Sequence, residues 1–187
     1  MEKNEQNYFQ ALYNVAKVIN ASLEMTTVLE KIVESVVDTM GVKASSIRLL
    51  DGRKKKLIMS AAHGLSKGYI RKGPVLVSES GVDRRALMGE LVTISDVQTD
   101  PDFQYGSVAK DEGIKTVLVV PLKAGEKSIG VLRVYASEIR EFNEEETLFI
   151  EAVANLSAIA LDNARLHQAL KTDYDLLVAH KYRLDDN

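Results

Sequence analysis

Two arginines stand where strand alternation surrounds them with apolar residues. In Ala44–Leu50, Arg48 points opposite to Ile47 and Leu49. In Ile129–Ala136, Arg133 shares a face with Val131 and Tyr135, while Leu132 and Val134 point the other way. A guanidinium keeps its charge and offers a fixed fork of donors that matches a carboxylate or phosphate, so these positions suit anion recognition. The alternative is that each arginine pairs with an acid of the chain, for instance Asp96 or Glu79. Ser80-Gly81-Val82 opens a short helix whose backbone N–H groups either cradle an anion or simply start the helix. Phe103 and Tyr105 either wall a pocket or pack beside the Asp100-Pro101 loop. Asp96, Asp100 and Asp102 read as turn formers rather than a carboxylate pair. His63 closes a strand before Gly64 and reads as a turn residue rather than a metal or haem ligand. No HExxH, phosphate loop or Ser/His/Asp spacing is present. No catalytic or metal site is expected.

Composition narrows the chemistry further. The chain has 187 residues, no cysteine and a formal net charge of −3. Without cysteine there is no disulfide, thiolate metal site, iron–sulfur cluster, thiol nucleophile or thioether-linked chromophore. The acidic balance, with pI near 5.7, argues against nucleic-acid binding. The basic run Arg53-Lys54-Lys55-Lys56 lacks interleaved aromatics and reads as a solvated hairpin tip. The amino terminus is polar, and no segment approaches the roughly 18–20 apolar residues of a membrane helix. A cytoplasmic protein is expected, with no membrane partner.

These side chains must be positioned by helices at both ends and strands between. Phe9, Leu12, Ala16, Ile19 and Leu23 step by three and four, the stripe of an amphipathic helix. A second helix is expected from Thr27, in a capping box with Glu30, to Met40, with Gly41 as its stop. Ala44–Leu50 and Leu57–Ala62 form a hairpin across Asp51-Gly52. Residues 64–115 are irregular, with an extended Val75-Leu76-Val77, a short strand Leu91–Ile94 and a helical turn over Tyr105–Glu112. Val117–Leu122 is a buried strand in which Pro121 implies an end or edge position. A hairpin loop at Ala124–Lys127 joins it to Ile129–Ala136, and Asn143 caps the last helix. Close hairpins flanked by helices give an α+β fold with an antiparallel sheet.

The last helix continues past the expected domain. Phe149, Leu156, Asn163, Leu170, Leu177 and Leu184 occupy one heptad position; Ala152, Ile159, Leu166, Asp173 and His180 occupy the other. From Phe149 to Ile159 this face is expected to cover the sheet. Beyond it the pattern predicts a parallel two-stranded coiled coil, with Asn163 setting register. The expected homodimer interface is Leu156, Ile159, Asn163, Leu166 and Leu170, joined by Leu12 and Ile19 of the first helix in a four-helix arrangement. From Asn143 to about Tyr182 the helix spans roughly 60 Å.

The run Pro74…Ser80-Gly81-Val82…Ala86-Leu87-Met88-Gly89-Glu90-Leu91-Val92-Thr93-Ile94-Ser95-Asp96-Val97…Asp100-Pro101…Phe103 resembles GAF domains. So do Gly113-Ile114-Lys115-Thr116-Val117-Leu118-Val119-Val120-Pro121-Leu122 and Ile129-Gly130-Val131-Leu132. The resemblance runs from about residue 26 to 165. It implies a five- or six-stranded antiparallel sheet with the terminal helices on one face and a small-molecule pocket, closed by the irregular segment, on the other. It also implies that Arg48 and Arg133 lie close together on the pocket face. Arg48, Arg133, Tyr135, Ser80, Gly81, Asp96, Phe103 and Tyr105 are then the candidate ligand contacts.

Such domains sense cyclic nucleotides, tetrapyrroles, amino or keto acids, or redox state, or act only in dimerisation. The cyclic-nucleotide signature is incomplete: Phe103 lies eight residues before Asp111 rather than four, and the Asn-Lys element is missing. The family's free methionine sulfoxide reductases work through cysteines that this chain lacks. The expected organisation is an N-terminal helix over 1–25, a GAF-like domain over 26–165 and a helical extension over 166–187. The expected function is non-covalent sensing of a small ligand, an anion among the candidate classes, signalled through paired C-terminal helices to a downstream protein. The alternative is a ligand-free dimerisation domain. The ligand and any cofactor are left unidentified.

Overall fold

A computed structural model describes residues 2–21 and 24–185, with side chains over 6–21 and 24–178. Helix α1 (Glu2–Ala21) and helix α2 (Met25–Met40) lead into strands β1 (Ala44–Leu50) and β2 (Lys56–His63). The middle segment holds α3 (Lys67–Ile70), β3 (Val75–Leu76), α4 (Gly81–Leu87), β4 (Val92–Ile94) and α5 (Gly106–Asp111). Strands β5 (Thr116–Ala124) and β6 (Lys127–Ala136) precede α6 (Glu144–Asp185). The six strands form one antiparallel sheet in the order β3-β2-β1-β6-β5-β4. The α+β architecture is thus as expected.

Local chemistry sets the helix ends, with one departure. Helix α2 begins two residues before Thr27, and its N-cap Glu24 makes no side-chain cap. Thr27 Oγ1 instead donates to the Glu24 carboxylate at 3.1 Å. Threonine here lies already inside the helix, so its hydroxyl serves a side chain rather than an orphan N–H. Gly41 closes α2 in the left-handed region at φ 61°, its N–H donating to the Val37 carbonyl. At α6 the expected cap is present and reciprocal. Glu146 N donates to Asn143 Oδ1 at 2.9 Å, and Asn143 N donates to Glu146 Oε2 at 3.0 Å. Leu23 lies outside the described residues.

The sheet has two unlike faces. Ile47, Leu118, Val120, Leu122, Leu132 and Val134 pack under α1, α2 and α6 in a continuous apolar core. Val15 of α1 and Ile32 of α2 are buried in it, so the first helix shares this core. The opposite face presents Ala44, Leu57, Val117, Val119, Val131 and Tyr135 to the middle segment. Alternation along β1 and β6 puts Arg48 and Arg133 on this second face. Pro121 sits inside β5, but β4 pairs only with Val117–Val119. Its missing donor therefore falls on a stretch where β5 is the sheet edge.

The middle segment is stitched by polar contacts rather than a long strand. Ser66 N and Oγ both donate to the Glu112 carboxylate, at 2.7 and 2.5 Å. Gln104 accepts from Leu76 N and donates to Glu79, and the Tyr105 hydroxyl donates to the Pro74 carbonyl.

Gly130 lets β1 and β6 approach closely: a Cβ there would lie 2.3 Å from the Arg48 carbonyl oxygen. Gly130→Ala is expected to lower unfolding free energy by about 1–3 kcal/mol, measured by denaturant unfolding; an unchanged midpoint would refute the close contact.

Candidate functional site

Arg48 of β1 is fully buried; its Nη1 makes a long hydrogen bond to the Leu57 carbonyl at 3.5 Å, and the Tyr135 hydroxyl is a second polar neighbour of the guanidinium. Its Nε and Nη2 have no partner. Burial holds this guanidinium below the ordinary arginine value; Arg133 pushes the same way and Tyr135 opposes. Arg133, across the β1–β6 ladder beside Ser46, is also buried but is paired. Its Nη2 forms an ion pair with Asp83 Oδ2 of α4. Ser80 Oγ donates to the same carboxylate oxygen at 2.5 Å. Burial alone would pull Arg133 down, yet the neighbouring Asp83 carboxylate holds it above its ordinary value.

A third cationic side chain reaches the same place from the middle segment. Lys72, in the turn between α3 and β3, holds Nζ 3.5 Å from the Tyr69 ring centre, 4.4 Å from Tyr105 and 5.9 Å from Phe103. That nitrogen is buried with no hydrogen-bond partner. Burial, then the Arg133 and Arg48 charges, push Lys72 down to about 6. Tyr69 meets Tyr135 edge to face at 6.1 Å, and its buried hydroxyl also lacks a partner. Burial raises the Tyr69 pKa. The Tyr135 hydroxyl is satisfied at 2.9 Å from Ser46 Oγ.

Among the described residues, the buried side-chain nitrogens and oxygens that lack a partner all belong to this cluster. They are Arg48 Nε and Nη2, Tyr69 Oη, Lys72 Nζ, Asp83 Oδ1 and Arg133 Nε. Natural interiors leave few such atoms, and each costs about 1–3 kcal/mol of desolvation. Two guanidiniums and one amine face one carboxylate inside an aromatic wall. The chemistry that completes such a set is a small anion with several acceptor oxygens.

The expected contacts divide accordingly. Arg48, Arg133 and Tyr135 come together, Phe103 lies 5.7 Å from the Arg133 guanidinium carbon, and Tyr105 flanks Lys72. Ser80 joins only through Asp83. The space over Gly81 belongs to Asp102, whose carboxylate would lie 2.6 Å from a Cβ there, so the chain's own acid fills that cradle. Asp96 stays outside the cluster: its Oδ1 accepts from Gln98 N in a local turn. Neither Asp96 nor Glu79 pairs with an arginine; Glu79 accepts from Gln104. Sequence reasoning missed Lys72, Tyr69, Asp83 and Ser46. Asp83, three residues after Ser80, had a readable signal in the Ser-x-x-Asp spacing; Lys72, inside Arg71-Lys72-Gly73-Pro74, had none.

The helical stripe divides in a similar way. Leu12, Ile19 and Leu156 are partly buried against the helix–sheet core. Phe149, at the start of the expected seam, is buried and stacks on Tyr8 at 4.8 Å. Ile159 departs from expectation. The core face of α6 runs through Val153, Ala154, Ser157, Ala158 and Leu161, which turns Ile159 outward to 55% exposure. Past Leu161, Asn163, Leu166, Leu170 and Leu177 are exposed. The side chains of His180 and Leu184 lie outside the described residues. A surface cleft of about 480 Å³ between α1 and α2, lined by Gln10, Asn14, Lys31 and Glu34, is remote from the cationic cluster.

Comparison with known proteins agrees with this fold. The GAF domain family matches residues 22–162. The formate hydrogenlyase transcriptional activator of Salmonella typhimurium (strain SL1344) is 24% identical over 187 residues, covering 97% of this chain and 27% of the activator. The chain therefore spans about a quarter of the length of that relative. The GAF domain of a phosphoenolpyruvate-protein phosphotransferase from Coxiella burnetii superposes with TM-score 0.79 at 20% identity, covering 89% of this chain and 99% of that domain. Free methionine-R-sulfoxide reductase from Neisseria meningitidis superposes with TM-score 0.71 at 20% identity, covering 86% and 91%. Those two likenesses concern the fold.

The two arginines differ in what their loss exposes. Arg133→Met leaves the buried Asp83 carboxylate without a counter-charge, held only by the Ser80 hydroxyl, and is expected to cost about 3–5 kcal/mol. Arg48→Met removes a buried charge that no carboxylate pairs among the described residues and is expected to leave stability unchanged or raise it by about 1–4 kcal/mol. Chemical denaturation of both variants checks this; equal destabilisation would make Arg48 a structural residue.

Proposed function

From the premise that this chain belongs to the GAF domain family, we propose that it is a sensory module that binds a small anion non-covalently between its sheet and its middle segment. A regulatory role is what the family supports, since a relative is a transcriptional activator. The single observation carrying the anion reading is the set of partnerless buried atoms around Arg48, Arg133 and Lys72. An evolved interior that leaves a guanidinium unanswered is destabilised unless something arrives to answer it. A regulatory rather than a catalytic role fits the absence of cysteine, because the thiol chemistry of the reductase branch has no nucleophile here.

The route outward follows the chain. Arg133 sits on β6, which leads to Arg140, and Arg140 pairs with Glu146 in the first turn of α6. A ligand that favours one arrangement of the middle segment against β1 and β6 shifts the population of α6 arrangements with it. We read α6 beyond Leu161 as one strand of a parallel homodimer, because Ile159, Leu166, Leu170 and Leu177 form an exposed apolar stripe. The GAF-like body is residues 26–165, with 1–25 and 166–187 as helical flanks. A downstream signalling protein would receive the output. The second reading, a ligand-free dimerisation module, rests on that stripe alone. Among the described residues no helix is long and apolar enough to cross a membrane.

Native mass spectrometry of the freshly purified protein, together with its thermal unfolding in the presence of candidate anions, tests both parts. The expected result is a dimer mass and an anion-dependent rise in unfolding temperature, with Arg48→Met folded but unresponsive. Leu166→Glu with Leu170→Glu should give monomers with unchanged unfolding of the domain core. An Arg48→Met protein that still responds to the same anions sinks the pocket reading; a wild-type monomer sinks the dimer.

A further inference from the structure

Resting on the anion reading above, the geometry points to a more specific ligand: we propose that the pocket takes a small dianion, and that Lys72 is the residue that selects the second negative charge. The argument is a count of charges and of the elements that carry them. Arg133 already has Asp83, so on the sheet only Arg48 lacks an anion. A monoanion would satisfy Arg48 and leave the Lys72 amine without an acceptor. Lys72 nevertheless lies within electrostatic reach of Arg48 and Arg133, its nitrogen buried against three aromatic rings and touching no acceptor. An amine that served only packing would reach water, as lysines on surface segments do. Here it is kept from water beside the Arg133 and Arg48 charges, where a second anionic oxygen would answer it.

The two kinds of cation also belong to different parts of the fold. Arg48 and Arg133 are fixed on β1 and β6, whereas Lys72 belongs to the segment that covers them. A dianion therefore bridges sheet and cover, and its second charge supplies the differential affinity for the closed arrangement that a population shift requires. The cover is otherwise held by side-chain contacts, Ser66 to Glu112 and Tyr105 to Pro74.

A consequence concerns protons. Without ligand, Lys72 faces Arg48 from β1, Arg133 from β6, Asp83 from α4 and Glu112 from the end of α5, along with the Tyr69, Phe103 and Tyr105 rings. Burial and the two guanidiniums favour its neutral form above about pH 6. The arriving dianion reverses that balance, so Nζ takes one proton from solvent as the complex forms. Affinity then falls as pH rises above about 6, by up to about tenfold per unit while the bound amine stays protonated.

The test is titration calorimetry of the full chain with oxalate and sulfate, both doubly charged across the range, against acetate and formate at pH 6 and pH 8. Inorganic phosphate is added at pH 8, to separate a phosphate source from a dicarboxylate. The expected result is a dianion preference of tenfold or more at pH 6, weakening toward pH 8. Lys72→Met should reduce the dianion-to-monoanion ratio to near one and remove its pH dependence. Lys72→Arg, whose charge does not titrate here, should keep the preference without the pH dependence. Monoanions binding as tightly as dianions, or a preference that survives Lys72→Met, overturns the inference while leaving the anion site standing. If none of these anions binds the wild-type protein, the anion reading falls with it.

Discussion

Burying a guanidinium costs on the order of several kcal/mol unless an anion meets it, and this fold buries two on neighbouring strands. Much of the middle segment follows from that constraint. Helix α4 delivers Asp83 to Arg133, with Ser80 holding the same carboxylate oxygen. Asp102 closes over Gly81 at the start of α4. The loop around Phe103 and the turn around Lys72 then build an aromatic wall over the guanidiniums. One arginine is answered from within the chain and the other is not. That asymmetry is what makes the cluster a candidate site.

The protein tolerates the imbalance because its stability is concentrated elsewhere. On the helix side of the sheet, Ile32, Val33, Val36, Ile47, Leu132, Ile150 and Val153 are all inaccessible to solvent. Burying each large aliphatic side chain contributes roughly 1.5–3 kcal/mol. The site side is assembled from short elements, two- and three-residue strands and helices of four to seven residues. Such pieces have little cooperative stability of their own and depend on side-chain stitches to stay closed. A robust face and a marginal face share one sheet, which is consistent with the proposed binding of a ligand under the middle segment.

Helix α6 connects the two. Its first turn is fixed by Asn143 and Glu146, and Glu146 also binds Arg140. Its middle packs on the sheet through Ile150, Val153, Ala154 and Ala158. Over its 42 residues it extends about 63 Å at 1.5 Å per residue. The proposed route from the end of β6 therefore has a helix long enough to reach surfaces far from the candidate site.

The sequence by itself determined what depends on near neighbours. Strand alternation was enough to set Arg48 and Arg133 apart from Ile47 and Leu132, because side chains in a strand alternate with period two whatever the tertiary context. The same holds for Gly41 as a helix stop and Asn143 as a cap, both read within one helical turn. The family resemblance extended this to sheet topology and to the pocket face. Only the tertiary structure decided which charges meet. Asp83 rather than Asp96 or Glu79 reaches Arg133, since α4 crosses the sheet while the Asp96 carboxylate is spent on its own turn. Lys72 looked like one more surface lysine in a polar run, and Ile159 looked like a residue covering the sheet. The path of the middle segment buries the first, and the angle at which α6 lies on the sheet exposes the second. Both depend on contacts between segments distant in sequence, and no local pattern encodes those.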